Sequence, residues 1–334
     1  MKNLFIVSSP FQCISAIEAK TQLSLENNVI VAIYYSKDGS KTHAQMREIF
    51  ELSDWDKVIE IGLEKKKSKY FDYISIIKEL KKCEYGNIFI GHFGQFQNIL
   101  LSNLITSKIY ALDDGLATLR WHKTELNPNI KNNIKFSKKM KMLRYYLIGL
   151  KTNFDKKRIN YFTMFDLKPY YGETIIQNKF IFINRYITNK KVDNGTVYFI
   201  GQPLYDGTYF DKNVYFKFLE NLKNYFIKQG IKIVYIPHRR EENLEELNNI
   251  IDKYFEIRRL STSIEINLLK SDVLPIGIYS FYSTALFTIY KIFNLNTTAI
   301  YIKQDLLQKN QESIEEVYCE LKKNGIKILE LEDI

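Results

Sequence analysis

Five short stretches of this chain bring together residues that can hold an anion or move a proton. Pro237-His238-Arg239-Arg240 follows the apolar run 231–236, and a histidine beside two arginines suits a phosphate or another anionic group. Gly201-Gln202-Pro203 follows the run 197–200; the glycine permits close backbone approach, and the acid Asp206 comes shortly after. Ser280-Phe281-Tyr282-Ser283-Thr284 follows the run 274–279 and opens a helical pattern, where hydroxyls and free backbone N–H groups can receive phosphate oxygens. Asp113-Asp114-Gly115 follows the run 108–112 with two adjacent carboxylates, a pair able to bind a metal ion or accept a proton. Ser8-Ser9-Pro10-Phe11-Gln12 closes the first apolar run and can hydrogen-bond a ligand. Each stretch also has a plainer reading as a helix cap or solvated turn. His92 and His122 can line a site, but lone histidines more often serve the structure.

These stretches sit at the ends of short, nearly continuous apolar runs that alternate with helical patterns. Such runs are the mark of buried parallel strands, and ligands bind beyond the carboxyl ends of such strands. Strands are predicted at 3–8, 29–35, 58–61, 87–91 and 108–112, with helices at 11–25, 43–52, 71–82 and 96–105. Two further strand-like runs lie at 161–165 and 180–183. Residues 188–195 are polar, end in Gly195, and read as an interdomain linker. A second series follows, with strands at 197–200, 231–236, 274–279, 297–302 and 326–331 and helices at 213–229, 241–254, 263–270, 283–293 and 312–323. The pattern predicts an α/β protein with two Rossmann-like halves and a cleft between them.

A length of 334 residues fits two domains, and the aromatic content is high, with 24 Tyr and 22 Phe. Cys13, Cys83 and Cys319 are too scattered for a disulfide framework or a zinc site and fit a reducing cytosol. The first apolar run is too short for a signal peptide or a membrane span, so the expectation is a cytoplasmic, soluble protein. A net charge of +10 favours anionic partners, yet no nucleic-acid motif accompanies it. Residues 132–150 place Lys135, Lys138, Lys139, Lys141 and Arg144 among Ile134, Phe136, Met140, Leu143, Tyr146, Leu147 and Ile148. That pattern is a basic amphipathic helix, which either packs on the fold with a solvated face or lies on the inner face of an anionic membrane.

In order and content these stretches resemble the bacterial sialyltransferases of glycosyltransferase family 52, which build lipooligosaccharide and capsule. The resemblance rests on Ser8-Ser9-Pro10-Phe11-Gln12, Asp113-Asp114-Gly115, Gly201-Gln202-Pro203, Pro237-His238-Arg239, Ile278-Tyr279-Ser280-Phe281-Tyr282-Ser283 and the ending Gly325-Ile326-Lys327-Ile328-Leu329. It implies a GT-B fold: two Rossmann-like domains with parallel sheets facing a cleft, 1–190 on the acceptor side and 191–334 on the donor side. It implies an inverting, metal-independent and cofactor-free transfer from CMP-sialic acid to a hydroxyl, usually of galactose, on a capsular or lipid-linked glycan. Under this resemblance His238 donates to the CMP phosphate, and Ser283 and Thr284 hold its oxygens. Gly201, Gln202, Pro203, Pro237, Arg239 and Ser280 complete the donor site, while Ser8, Ser9, Gln12 and Gly115 lie toward the acceptor. Asp206 is the first candidate for the base, slightly ahead of Asp113 and Asp114. In the family the corresponding acid directly follows the Gly-x-Pro, whereas Leu204 and Tyr205 intervene here. Relatives can be homodimers. Two other readings stand beside this one: another donor, CMP-Kdo or a nucleoside-diphosphate hexose gripped by Arg239 and Arg240, or a non-catalytic glycan-binding protein.

Overall fold

The computed structural model describes residues 1–34, 39–62, 69–126, 142–156, 159–204, 211–238, 241, 245–309 and 311–330. The chain divides into two compact units, Met1–Phe182 and Ile183–Ile334.

The first unit runs β1 (Lys2–Val7), α1 (Pro10–Gln22), β2 (Asn28–Tyr34), α2 (Gly39–Phe50), β3 (Lys57–Gly62), α3 (Lys69–Leu80), β4 (Glu84–Ile90), α4 (Gln95–Asn103), β5 (Ile105–Leu112) and α5 (Leu116–Trp121). A π-helical turn, His122–Leu126, then precedes β6 (Ile159–Thr163) and β7 (Ile175–Gln177). Among the described residues the sheet order is β3-β2-β1-β4-β5-β6-β7, and every neighbouring pair is parallel. β2 is buried along its whole length, which is why its sequence shows no alternation. Phe5, Phe89 and Tyr110 lie opposite one another in register and stack at 4.6 and 5.0 Å, tying β1, β4 and β5 together. Each fully buried aromatic or aliphatic side chain contributes roughly 1.5–3 kcal/mol. The strand order reverses between β1 and β4, and that reversal opens a crevice at the carboxyl ends of the strands.

Helix α6 (Ile181–Ile187) leads into the second unit. There β8 (Lys191–Ile200), α7 (Lys212–Ile227), β9 (Lys232–Ile236), a 3-10 turn at Glu245–Asn249 and β10 (Phe255–Ile257) come first. α8 (Ile264–Lys270), β11 (Val273–Ser280), α9 (Thr284–Phe293), β12 (Asn296–Ile300), α10 (Gln311–Lys323) and β13 (Lys327–Leu329) follow. The described sheet is again parallel throughout, in the order β10-β9-β8-β11-β12-β13, so its reversal falls between β8 and β11. An aromatic row repeats here: Phe199 stacks on Tyr235 at 5.8 Å and Tyr235 on Phe255 at 6.0 Å. Two Rossmann-like units in one chain make this a GT-B fold.

Several expectations change. The run 180–183 is not a strand: Phe180 turns with a positive φ of 51°, and α6 begins at Ile181. The second strand of that region is β7 instead. Residues 191–195, expected in a linker, begin β8, because Lys191 to Asp193 pair with Val273 to Pro275 of β11. The helix expected over 241–254 is absent from its described part, which holds the 3-10 turn at Glu245–Asn249 and an isolated bridge from Asp252 to Phe255. β10 and α5 were not anticipated. Of the basic helix expected over 132–150, residues 142–146 are helical and 132–141 lie outside the described residues.

Candidate functional site

In the first unit the predicted residues gather at the reversal of the sheet. β1 ends at Val7, and Ser9 caps α1 by accepting from the Gln12 backbone N–H at 3.3 Å, with Pro10 preset for the first helical turn. The buried Gln12 side chain folds back: its Oε1 accepts from the Ser8 backbone N–H at 2.7 Å and the Ser8 hydroxyl at 3.1 Å. Gly91, at the end of β4, leaves the space that Gln12 fills; a Cβ there would sit 2.3 Å from Gln12 Cδ. Two strands from β1 in the sheet, β5 ends in the acidic pair. Ser9 Oγ reaches Asp114 Oδ1 at 3.5 Å, so the serine turn and the acidic turn meet.

The two acids of that pair differ. Asp113 is fully buried, and both of its oxygens are engaged, by Thr163 Oγ1 at 2.6 Å and by the Met164 backbone N–H at 2.7 Å. Burial pushes its pKa up to about 7, against the pull of those hydrogen bonds and with a further push from Asp114. Asp113 thus clamps the end of β5 to the end of β6. Asp114 is half-buried, and its backbone N–H donates to Thr118 Oγ1 at 2.7 Å, which seats the first turn of α5. Gly115 between them takes φ 60°, ψ −147°, a conformation only glycine adopts without strain. Asp114 is therefore the acid of the pair with a carboxylate open to a ligand. His92 is exposed just past β4. His122 is buried, stacks on Tyr170 at 4.7 Å, and has its pKa lowered by that burial.

In the second unit Gly201, Gln202 and Ser280 converge on the reversal between β8 and β11. Ser280 Oγ donates to the Ile200 carbonyl at 2.7 Å and lies 3.3 Å from Gln202 Oε1, which also accepts from the Tyr282 backbone N–H at 3.0 Å. These bonds staple the ends of the two central strands. Ser283 then caps α9, accepting from the Ala285 N–H at 3.3 Å, and Thr284 is exposed on its first turn. Pro203, Pro237 and His238 are half-buried around the same strand ends. Asp206, Arg239 and Arg240 lie outside the described residues.

One residue here escaped the sequence reading. Glu241 is buried, with Oε1 accepting from Tyr235 Oη at 2.6 Å and Oε2 accepting from the His238 backbone N–H. Tyr235 in turn bonds Tyr215 Oη at 2.8 Å, and Arg259 holds the Glu241 carbonyl at 2.7 Å. Burial raises the Glu241 pKa to about 7, opposed by the Tyr235 and His238 hydrogen bonds and by the Arg259 charge. Gly201 is required beside it, since a Cβ would come within 2.4 Å of both Glu241 Oε2 and Tyr235 Oη. The available signal was Tyr235 itself: a tyrosine inside a buried strand needs a partner for its hydroxyl.

Among the described residues no cluster of His, Cys, Asp or Glu is arranged to hold a metal ion, and no helix is long and apolar enough to cross a membrane. The chemistry on hand is a half-buried carboxylate at the strand ends of the first unit, and at those of the second a half-buried histidine, His238, and a helix start that carries the hydroxyls of Ser283 and Thr284.

No curated protein matches this chain. Among solved structures it is similar to the Methanocaldococcus jannaschii UDP-GlcNAc 2-epimerase in complex with UDP-GlcNAc and UDP, at 13% identity and a TM-score of 0.52, over 99% of this chain and 89% of that one. It is also similar to the E. coli heptosyltransferase WaaC with ADP-2-deoxy-2-fluoro heptose, at 12% identity and a TM-score of 0.47, over 97% of this chain and all of that one. At such identity the epimerase likeness shows a shared fold. The family model described as alpha-2,8-polysialyltransferase (POLYST) matches residues 3–302, which reach across both units. The chain belongs to the alpha-2,8-polysialyltransferase family and is a glycosyltransferase of GT-B fold.

Proposed function

We propose that this protein transfers sialic acid from CMP-sialic acid to a hydroxyl of an acceptor glycan, with inversion and without a metal ion. The observation that carries the reading is the family match across residues 3–302. The strand ends of the second unit support it. In this reading the second unit takes the donor and the first serves the acceptor. The acceptor oxygen bonds to the anomeric carbon as the bond from that carbon to the CMP phosphate oxygen breaks, and CMP leaves as an anion. His238 donates to that phosphate, and the start of α9, capped by Ser283 and opened by Thr284, presents backbone N–H groups to its oxygens. Gly201, Gln202, Pro203, Pro237, Arg239 and Ser280 shape the donor site.

The acceptor proton goes to a carboxylate. Asp206 keeps first place as the base, and within the acidic pair the role falls to Asp114, because Asp113 has neither exposed surface nor a free oxygen. Ser9 and Gly115 orient Asp114, and Ser8 and Gln12 hold Ser9's turn. Kinship with family 52 and a capsular or lipooligosaccharide acceptor belong to the same proposal. The family's description names an α-2,8 linkage, which makes a sialic acid hydroxyl the acceptor, whereas the sequence resemblance gives galactose.

Thermal melting with CMP, CMP-sialic acid, UDP and GDP tests the donor, since a ligand that binds only the folded chain raises the midpoint by mass action. The expected result is a shift with the two cytidine ligands alone, lost in His238→Ala. A preference for UDP or GDP moves the donor to a hexose. No shift with any of them favours a glycan-binding protein. Product formation from acceptors ending in galactose or in sialic acid then decides the linkage partner.

A further inference from the structure

The first unit carries an exposed apolar surface made of residues to which the proposed function assigns no role. At the start of α3, Tyr70 donates its hydroxyl to the Arg144 carbonyl at 2.9 Å, and its ring lies 5.0 Å from that of Tyr145. This contact sets the start of α3 beside the helical residues 142–146. Tyr145 is buried in it. Leu143, Tyr146 and Leu147 fall at helical spacing, and the Leu147 N–H closes the last turn on the Leu143 carbonyl at 2.9 Å. Tyr146 is 68% exposed and Leu147 74%, with Leu143 and Ile148 exposed beside them. Phe71, packed edge-on against Tyr70 at 5.4 Å, is 72% exposed. Single exposed apolar residues are ordinary; five large ones on two segments in contact mark an interaction surface.

The sequence around this surface identifies its occupant. Lys65-Lys66-Lys67-Ser68-Lys69 runs directly into Tyr70 and Phe71. In sequence, Lys131, Lys135, Lys138, Lys139 and Lys141 precede the second segment, Arg144 and Lys151 within and after it are exposed, and no acid occurs between Glu125 and Asp155. Two copies of this chain would bring like charge onto like charge at such a patch, which disfavours self-association. An anionic bilayer answers both properties at once, taking the apolar side chains at the headgroup boundary and attracting each nearby cation.

We propose that Phe71, Leu143, Tyr146, Leu147 and Ile148 form a docking surface that rests on an anionic lipid bilayer. The surface keeps the enzyme at a membrane, and it does not depend on the identity of the donor. Co-sedimentation of the full chain with vesicles of phosphatidylcholine, with and without phosphatidylglycerol, tests it. Binding is expected only to the phosphatidylglycerol vesicles and weakens as salt is raised. The double variant Tyr146→Ser, Leu147→Ser changes exposed side chains, so its melting midpoint stays that of the parent while its vesicle binding falls about tenfold or more. No sedimentation of the parent, equal binding to both vesicle types, or unchanged binding by the double variant overturns the proposal. So does analytical ultracentrifugation that finds a dimer of the parent dispersed by the same substitutions, which makes the surface a contact between copies.

Discussion

The strand ends of the two units solve the same structural problem with the same parts and arrive at opposite electrostatics. Each has a glutamine whose amide oxygen is held at the sheet reversal: Gln12 by the N–H and hydroxyl of Ser8, and Gln202 by the Tyr282 N–H with the Ser280 hydroxyl 3.3 Å away. Each has a glycine emptied to admit a buried side chain, Gly91 for Gln12 and Gly201 for Glu241 and Tyr235. Each has a buried carboxyl raised to about 7, Asp113 and Glu241, that fixes the neighbouring strand end. They part at the next residue outward. Beside Asp113 stands a second carboxylate, Asp114; beside Glu241 stand the His238 backbone and Arg259. In the proposed reading the first strand end, with its paired carboxylates, takes the proton, and the second, with His238 and the start of α9, takes the anion. The repeated scaffold positions, and the outermost residue sets the chemistry.

The sharpest break of this comparison lies inside the acidic pair. Asp114→Asn removes the open carboxylate and leaves the buried clamp, so if Asp114 is the base, turnover falls by about 10²–10⁴-fold with little change in melting midpoint. Asp113→Asn does the reverse: it leaves one donor at the β5–β6 junction without an acceptor and costs about 1–3 kcal/mol of stability, read as a lower midpoint. Full turnover in Asp114→Asn removes the first unit from proton transfer and leaves Asp206 alone in that role.

Second in size is the pH dependence that the two buried carboxyls share. Both pKa values are raised from their unfolded values near 4 to about 7, so between those limits the folded chain binds a proton that the unfolded chain has released. Stability from each group is therefore full below pH 4 and is lost as the pH rises toward 7, by up to about 1.4 kcal/mol per pH unit. Subtracting the melting profile of Glu241→Gln from that of the parent isolates the second unit's share, and Asp113→Asn isolates the first. A flat difference between pH 4.5 and 7 for either shows that its carboxyl is ionised in the fold, and the likeness between the two clamps fails.

How much of this was readable in the sequence follows from what each residue signals locally. The strand ends were legible because buried parallel strands leave unbroken apolar runs, and Ser9, Gly115 and Ser283 announce turns and caps by residue type alone. Glu241 was not legible. It stands in the run Arg239-Arg240-Glu241-Glu242, which reads as solvated charge and as the start of a helix; only the fold turns one of those acids inward onto Tyr235. The run 180–183 failed because a short apolar stretch fits strand and helix equally, and the asparagine before it decides: Asn178 Oδ1 accepts the Phe180 N–H at 2.9 Å and turns the chain into α6. The polar start of β8 passed for a linker because its pairing partner, the start of β11, is far away in sequence.

The smallest effect separates a cap from a site. Ser9 and Ser283 each cap the first helix after a central strand, so Ser→Ala at either position is expected to cost about 1 kcal/mol of stability. Their second roles differ. Ser9 also donates to Asp114, so its loss frees a carboxylate that the proposal needs oriented, and kcat falls with KM for the donor unchanged. In the proposed reading Ser283 opens the helix that receives the leaving group, so its loss raises KM for the donor along with any fall in kcat. Equal stability losses with that split in kinetics keep the division between a proton-taking and an anion-taking strand end. An identical kinetic change in both variants dissolves it, because two caps that act alike are serving only their helices.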